Sequence, residues 1–231
     1  MYTLHYAPDN ASLIVRLMLE ELGLPYRTSL VDRSRQAQDS AAYRAVNPAG
    51  LIPALVTPVG PVFETGAILL WLGDRHSALV PAIEAPGRAA FLSWLFFTSN
   101  TLHAALRQLF YSEKYAGSNA AIADFSALTR RRVAEHFELI DRMVAADKPD
   151  WLRPGSVSAL GYYLSACLRW TQLYPTASAG WFDTARVPAL MAIAADLQAR
   201  PAALAAARAE GLGPTIFTAP TYATPPEGSA T

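Results

Sequence analysis

Along the first eighty residues the spacing of apolar positions changes period several times. Tyr2–Tyr6 is rich in β-forming residues, and Pro8-Asp9-Asn10 stops the strand. From Ser12 the period becomes helical: Val15, Met18, Leu19 and Leu22 recur at i, i+3, i+4 and i+7, with Arg16, Glu20 and Glu21 elsewhere. Gly23 and Pro25 end this helix, and Tyr26–Val31 forms a second strand. So short a strand-helix-strand run predicts a right-handed crossover with parallel strands. Arg33–Asp39 is a polar loop, and Ser40–Val46 a short helix stopped by Asn47-Pro48. Ala54–Val56 and Val62–Phe63 flank a turn-forming Thr57-Pro58-Val59-Gly60-Pro61 and read as a hairpin. Glu64-Thr65 then opens a helix through Leu72. The order is β-α-β-α-β-β-α, that of an α/β thioredoxin-like domain.

Beyond His76 a segment with Pro81, Pro86 and Gly87 reads as a linker, and strand signals stop. Phe91, Leu95, Thr98, Leu102, Ala105 and Leu109 alternate four and three apart, the seam of one long helix. Further helices are predicted over 121–146, 157–173, 188–199 and 201–209. The expected organisation is a thioredoxin-like domain over 1–78, an all-α helical bundle over 87–212 and an irregular tail over 213–231.

Composition narrows the partners. Lys+Arg and Asp+Glu balance at 19 each, so no electrostatic case exists for nucleic acid or an anionic membrane. Charged residues are only 16% of the chain, which predicts a surface with apolar areas. The single cysteine, Cys167, excludes an intrachain disulfide, and no metal-ligand spacing or phosphate-binding glycine loop occurs. The start carries no basic segment followed by a long apolar run, and no apolar stretch is long enough to span a bilayer. The expectation is a soluble protein of the cytoplasm.

Four segments carry a family resemblance: Tyr6-Ala7-Pro8-Asp9-Asn10-Ala11-Ser12-Leu13, Asn47-Pro48-Ala49-Gly50-Leu51-Ile52-Pro53-Ala54-Leu55, Phe63-Glu64-Thr65-Gly66-Ala67-Ile68, and the helix ending Leu168-Arg169-Trp170. In this order, followed by a helical half, they resemble the glutathione S-transferase superfamily, nearest its bacterial beta-like members. The resemblance covers nearly the whole chain. It implies glutathione as co-substrate with no metal, a small apolar electrophile as second substrate, and a homodimer. The same fold also serves non-catalytic binding or regulatory modules and glutathione-dependent isomerases and reductases.

Each segment has a physical reading beside the resemblance. The resemblance implies a cis bond before Pro53, which would hold Ile52 extended so that its backbone pairs with the cysteinyl part of glutathione like an added strand; an ordinary turn proline at a strand start is the alternative. Thr65 opens a helix whose free N–H groups suit the γ-glutamyl carboxylate, and Glu64 supplies a countercharge for the ammonium. Thr65 as a plain helix cap is the alternative. Ser12 begins the first helix, where its hydroxyl and the helix dipole would stabilise a thiolate; Tyr6, at the end of the first strand, is the rival activator. In the related proteins a histidine in the segment of His103 reaches the glutathione site, a packing or surface role being the alternative. Arg33 and Arg35 lie in a loop that in some of them holds the glycine carboxylate, with Arg35 the candidate here and plain solvation the alternative.

Two departures stand out. Ala11 occupies the position where beta-like members often carry cysteine, so a mixed disulfide with glutathione is unavailable there. The helix beginning near residue 157 lacks half of its capping box, Ser156 being followed by Ala159 three residues on, which leaves Ser158 as a substitute cap. Cys167, among Leu164, Ala166 and Leu168, reads as a small buried hydrophobe.

Overall fold

The computed structural model describes residues 1–229. Four strands, β1 (Tyr2–Tyr6), β2 (Tyr26–Leu30), β3 (Ala54–Thr57) and β4 (Gly60–Phe63), form one sheet in the order β2-β1-β3-β4. β1 and β2 run parallel, Tyr2 opposite Tyr26, as the crossover requires; β3 runs antiparallel to β1, with Leu4 opposite Leu55. The hairpin joins β3 to β4 through the pair Thr57 and Gly60. Alternation divides each strand between two faces. Tyr2, Leu4, Tyr6 and Leu55 meet α1 (Ser12–Glu21) and α3 (Thr65–His76), whereas Val31 and Ala54 join Tyr43 of α2 (Ala41–Arg44) in a smaller cluster behind.

The helical part comprises α4 (Arg88–Phe97), α5 (His103–Phe110), α6 (Ser112–Tyr115), α7 (Ile122–Asp147), α8 (Ala159–Leu173), α9 (Pro188–Gln198) and α10 (Pro201–Glu210). α8 is the axis of the molecule: every residue except Gln172 is buried. Its missing capping box is replaced as the sequence suggests, Ser158 Oγ accepting the Gly161 N–H at 3.0 Å. Gly161 also admits α9, since a Cβ there would lie 3.1 Å from Leu197. One continuous core joins α1 and α3 to α8, so the two halves share apolar packing. Leu13, Ile14, Leu17 and Met18 of α1 have no exposed surface, each worth about 1.5–3 kcal/mol of burial.

One expectation changes. The long helix predicted over 91–109 is two α segments joined by a π turn, Thr98–Leu102. The extra residue per turn rotates α5 relative to α4, and Leu106, not Ala105, takes the buried place. Residues 212–229 carry no helix or strand and are packed against the rest of the molecule. Ile216 and Phe217 are fully buried, Glu227 accepts the Tyr6 hydroxyl, and a Cβ on Gly228 would meet Leu30 at 2.7 Å. Among the described residues, no helix is long and apolar enough to cross a membrane, and no group of His, Cys, Asp or Glu is arranged to hold a metal ion.

Candidate functional site

A cleft of about 470 Å³ opens between the two halves, lined by Asp9–Ala11, Arg33, Asn47, Leu51–Pro53, Glu64 and Thr65 on one side. The other side is built by Ser99, His103, Arg107, Phe110 and Tyr111 from the α4–α6 stretch and by Tyr163 and Trp170 of α8.

The sheet-side wall is mostly main chain held in fixed turns. Asn47 accepts the Ala49 N–H at 3.1 Å and donates to the Leu51 carbonyl at 2.6 Å, where Tyr43 Oη also donates at 2.6 Å. Gly50 closes this turn at φ +65°, a conformation open to glycine without a Cβ penalty. The Ile52–Pro53 bond is cis, as the sequence motif predicts. Glu64, at φ 69°, precedes α3 with its carboxylate exposed, and Thr65 behind it is buried. A non-glycine residue in that region costs on the order of 1–3 kcal/mol, a strain typical of ligand clamps.

The helical wall is side chains. Tyr163 of α8 hydrogen-bonds with His103 Nδ1 at 2.8 Å, linking α8 to α5, and shares the cleft wall with Thr65 at the start of α3. His103 also packs on Trp170, ring centroids 5.4 Å apart. Burial, aided by the nearby Arg107 charge, lowers the His103 pKa to about 4, and burial raises the Tyr163 hydroxyl well above its usual range. Both groups are neutral at physiological pH. Arg107 follows His103 by one turn; its Nε donates to Tyr115 Oη at 2.9 Å, and its guanidinium lies 5.6 Å from the Tyr111 ring.

The loop before α1 is clamped from behind. Asp9, at φ 47° and buried, takes two bonds from Arg169 at 2.8 and 2.9 Å, one from Trp170 Nε1 at 2.9 Å and one from Tyr174 Oη at 3.1 Å. Arg169, fully buried, also donates to the carbonyls of Ile216 and Thr221. Glu210 accepts the Asp9 N–H at 2.8 Å and pairs with Arg16 at 2.7 Å. Two buried ion pairs thus fix this loop to α8, α10 and the tail.

Three residues expected at the site, Ser12, Tyr6 and Arg35, lie elsewhere. Ser12 and Tyr6 do not line the cleft. Ser12 is completely buried, and its hydroxyl turns back to the Ala7 main chain, donating to the carbonyl at 2.9 Å and accepting the N–H at 3.3 Å. A buried hydroxyl must be satisfied, and the tight turn offers these partners first. The Tyr6 hydroxyl donates to Glu227, and its ring lies under the Arg16 guanidinium. Burial and the Glu227 carboxylate raise the Tyr6 pKa, the opposite of what an activating tyrosine needs. At the cleft their place is taken by Asn10 and Ala11; the Asn10 side-chain oxygen accepts the Ala11 N–H at 2.8 Å. Arg35 extends into solvent beside Asp32, 86% exposed, while Arg33 lines the cleft and donates to Tyr111 Oη at 2.6 Å.

Ile52, Pro53, Glu64, Thr65 and His103 do come together around the cleft. Asp9, Asn10, Arg107 and Tyr163 are functional candidates the sequence reading missed. For Arg107 a signal was present, since it lies four residues after His103 on the same helical face. Cys167 is buried away from the cleft, its thiol pKa raised by burial.

A family model described as "Glutathione S-transferase, N-terminal domain" matches residues 11–75. A sphingomonad glutathione S-transferase solved in complex with glutathione is 30% identical, covers 91% of this chain and all of its own, and superposes with a TM-score of 0.73. Glutathione S-transferase GST-4.5 of Xanthomonas campestris is 27% identical over 169 residues, 72% of this chain and 81% of that protein. The disulfide-bond oxidoreductase YfcG of Escherichia coli is 35% identical over 115 residues, 47% of this chain and 53% of that one.

Proposed function

Since this chain belongs to the glutathione S-transferase superfamily, we propose that it binds reduced glutathione in the interdomain cleft, holds it as the thiolate and transfers the sulfur to an apolar electrophile. The observation that carries this reading is the shape and chemistry of the sheet-side wall: the Ile52 main chain at the cis Pro53 bond, the N-terminus of α3 and the exposed Glu64 carboxylate face one cleft. Glu64 pairs with the γ-glutamyl ammonium, and the first N–H groups of α3 take its carboxylate. Ile52 pairs with the cysteinyl backbone in the manner of an added strand. Arg33, which lines the cleft, takes the glycine carboxylate in place of the solvent-exposed Arg35.

The sulfur then lies against the start of α1. Its developing negative charge is stabilised by the helix dipole and by the Asn10 side-chain amide, whose oxygen is already engaged with Ala11. Ser12 contributes through the main chain, its hydroxyl being committed to Ala7. The protein acts as a homodimer in the cytoplasm. Calorimetric titration with reduced glutathione, followed by mass spectrometry of products with 1-chloro-2,4-dinitrobenzene, tests this function. Saturable binding and a glutathione conjugate are expected, and absence of binding would sink the reading.

The identity with the oxidoreductase favours a second reading, glutathione-dependent disulfide reduction. There two glutathione molecules become oxidised glutathione while a substrate disulfide becomes two thiols. The products separate the two readings: oxidised glutathione for reduction, a thioether for transfer.

A further inference from the structure

We propose that the second substrate carries an anionic group, a carboxylate on an apolar or aromatic body, and that Arg107 selects it. The inference rests on the glutathione reading above and adds the substrate class.

Among the described residues, the charges that line the cleft are Asp9, Arg33, Glu64 and Arg107. Asp9 is neutralised by Arg169, and burial keeps His103 uncharged. Glutathione brings one ammonium and two carboxylates. Glu64 meets the ammonium, the α3 N-terminus meets one carboxylate and Arg33 meets the other. Arg107 is then a cation beyond what glutathione uses.

Its surroundings suit an aromatic acid. Arg107 shares the cleft wall with Phe110, Tyr111, Trp170 and Tyr174. Phe110 and Tyr174 pack edge to face, centroids 5.9 Å apart. The Tyr111 ring is flanked by Arg107 at 5.6 Å and by the Lys114 ammonium at 4.8 Å, while Arg33 donates to its hydroxyl. The Arg107 Nε is spent on Tyr115, which aims the guanidinium and leaves its terminal nitrogens for a ligand carboxylate. Aromatic surface for the ring, with a guanidinium held at its edge, is the arrangement that favours an acid over its neutral amide.

In the transfer step the glutathione sulfur attacks a ring carbon bearing chlorine. A C–S bond forms, the C–Cl bond breaks with its electron pair leaving as chloride, and the thiol proton passes to solvent.

The test compares 4-chloro-3-nitrobenzoate with 4-chloro-3-nitrobenzamide, which differ in charge at one substituent. Their kcat/KM ratio is measured for the natural protein, Arg107→Gln and Arg107→Lys. Loss of one charge-assisted contact predicts that Arg107→Gln lowers the acid-to-amide ratio about tenfold or more, with Arg107→Lys recovering part of it. An unchanged ratio in Arg107→Gln overturns the proposal.

The same comparison is made at equilibrium, by calorimetry, with S-(4-carboxy-2-nitrophenyl)glutathione and its carboxamide counterpart. A tenfold fall in the binding ratio upholds anion selection even where neither acceptor is turned over, in which case it is the transferase reading that fails. Equal weakening of both conjugates overturns Arg107 as the selector. Failure of glutathione and both conjugates to bind the natural protein overturns the glutathione reading and this one together.

Discussion

The two walls of the cleft are built from different material. The sheet-side wall presents turns and helix ends: Asn47–Pro53 pinned by Tyr43, and Glu64-Thr65 at the start of α3. The helical wall presents side chains from scattered positions, His103, Arg107, Phe110, Tyr163 and Trp170. Main-chain groups suit an invariant peptide, because every peptide offers the same donors and acceptors in the same spacing. Side chains suit a variable partner, since each can be exchanged without disturbing a turn. The Asp9–Arg169 pair joins the walls.

The largest expected effect comes from cutting that join. Arg169→Met leaves the Asp9 carboxylate buried without its partner, which should cost about 3–5 kcal/mol in urea-induced unfolding. The double variant Asp9→Ala with Arg169→Met should recover much of the loss. A cost under about 1 kcal/mol for the single change would mean that the walls hold their places independently.

The helical wall also has a pH signature. His103 titrates at about 4 in the folded chain against an ordinary value near 6.5. The unfolded chain therefore takes up the proton first as pH falls. The stabilisation is complete above pH 6.5 and drains away between there and about pH 4, by up to about 3 kcal/mol. His103→Gln should flatten that part of the stability profile relative to the natural protein. Parallel profiles for the two would contradict a buried neutral imidazole.

On the sheet side, Glu64→Ala should weaken glutathione binding by about 1.5–3 kcal/mol in calorimetry, as expected for one charged hydrogen-bond partner. Unaltered affinity would remove Glu64 from the γ-glutamyl contact. The smallest effect tests the boundary between the walls: Asn10→Ala should lower kcat/KM for conjugation about tenfold, the worth of one donor to the thiolate. Tyr6→Phe should instead loosen the tail, read as faster proteolysis beyond Gly211, because the hydroxyl holds Glu227.

Local pattern determined much of this protein. Strand alternation, helical period and the stops at Gly23, Asn47-Pro48 and the hairpin turn act over a few residues each. They specify the β-α-β-α-β-β-α order and the parallel crossover without any long-range contact. The main-chain wall was legible for the same reason: a cis proline turn and a helix start are written in consecutive residues. Tertiary structure decided side-chain direction. Ser12 stands at the helix start in either reading, but only the folding of the Ala7–Ala11 turn sends its hydroxyl to Ala7 and not to the cleft. Arg33 and Arg35 differ by two residues in one tight turn, so a modest rotation sends one to Tyr111 and the other to solvent. Asp9 and Arg169, 160 positions apart, meet only once α8 has packed on α1. Such long-range pairs leave no local period to read, because their energy comes from burial that exists only when both halves are assembled.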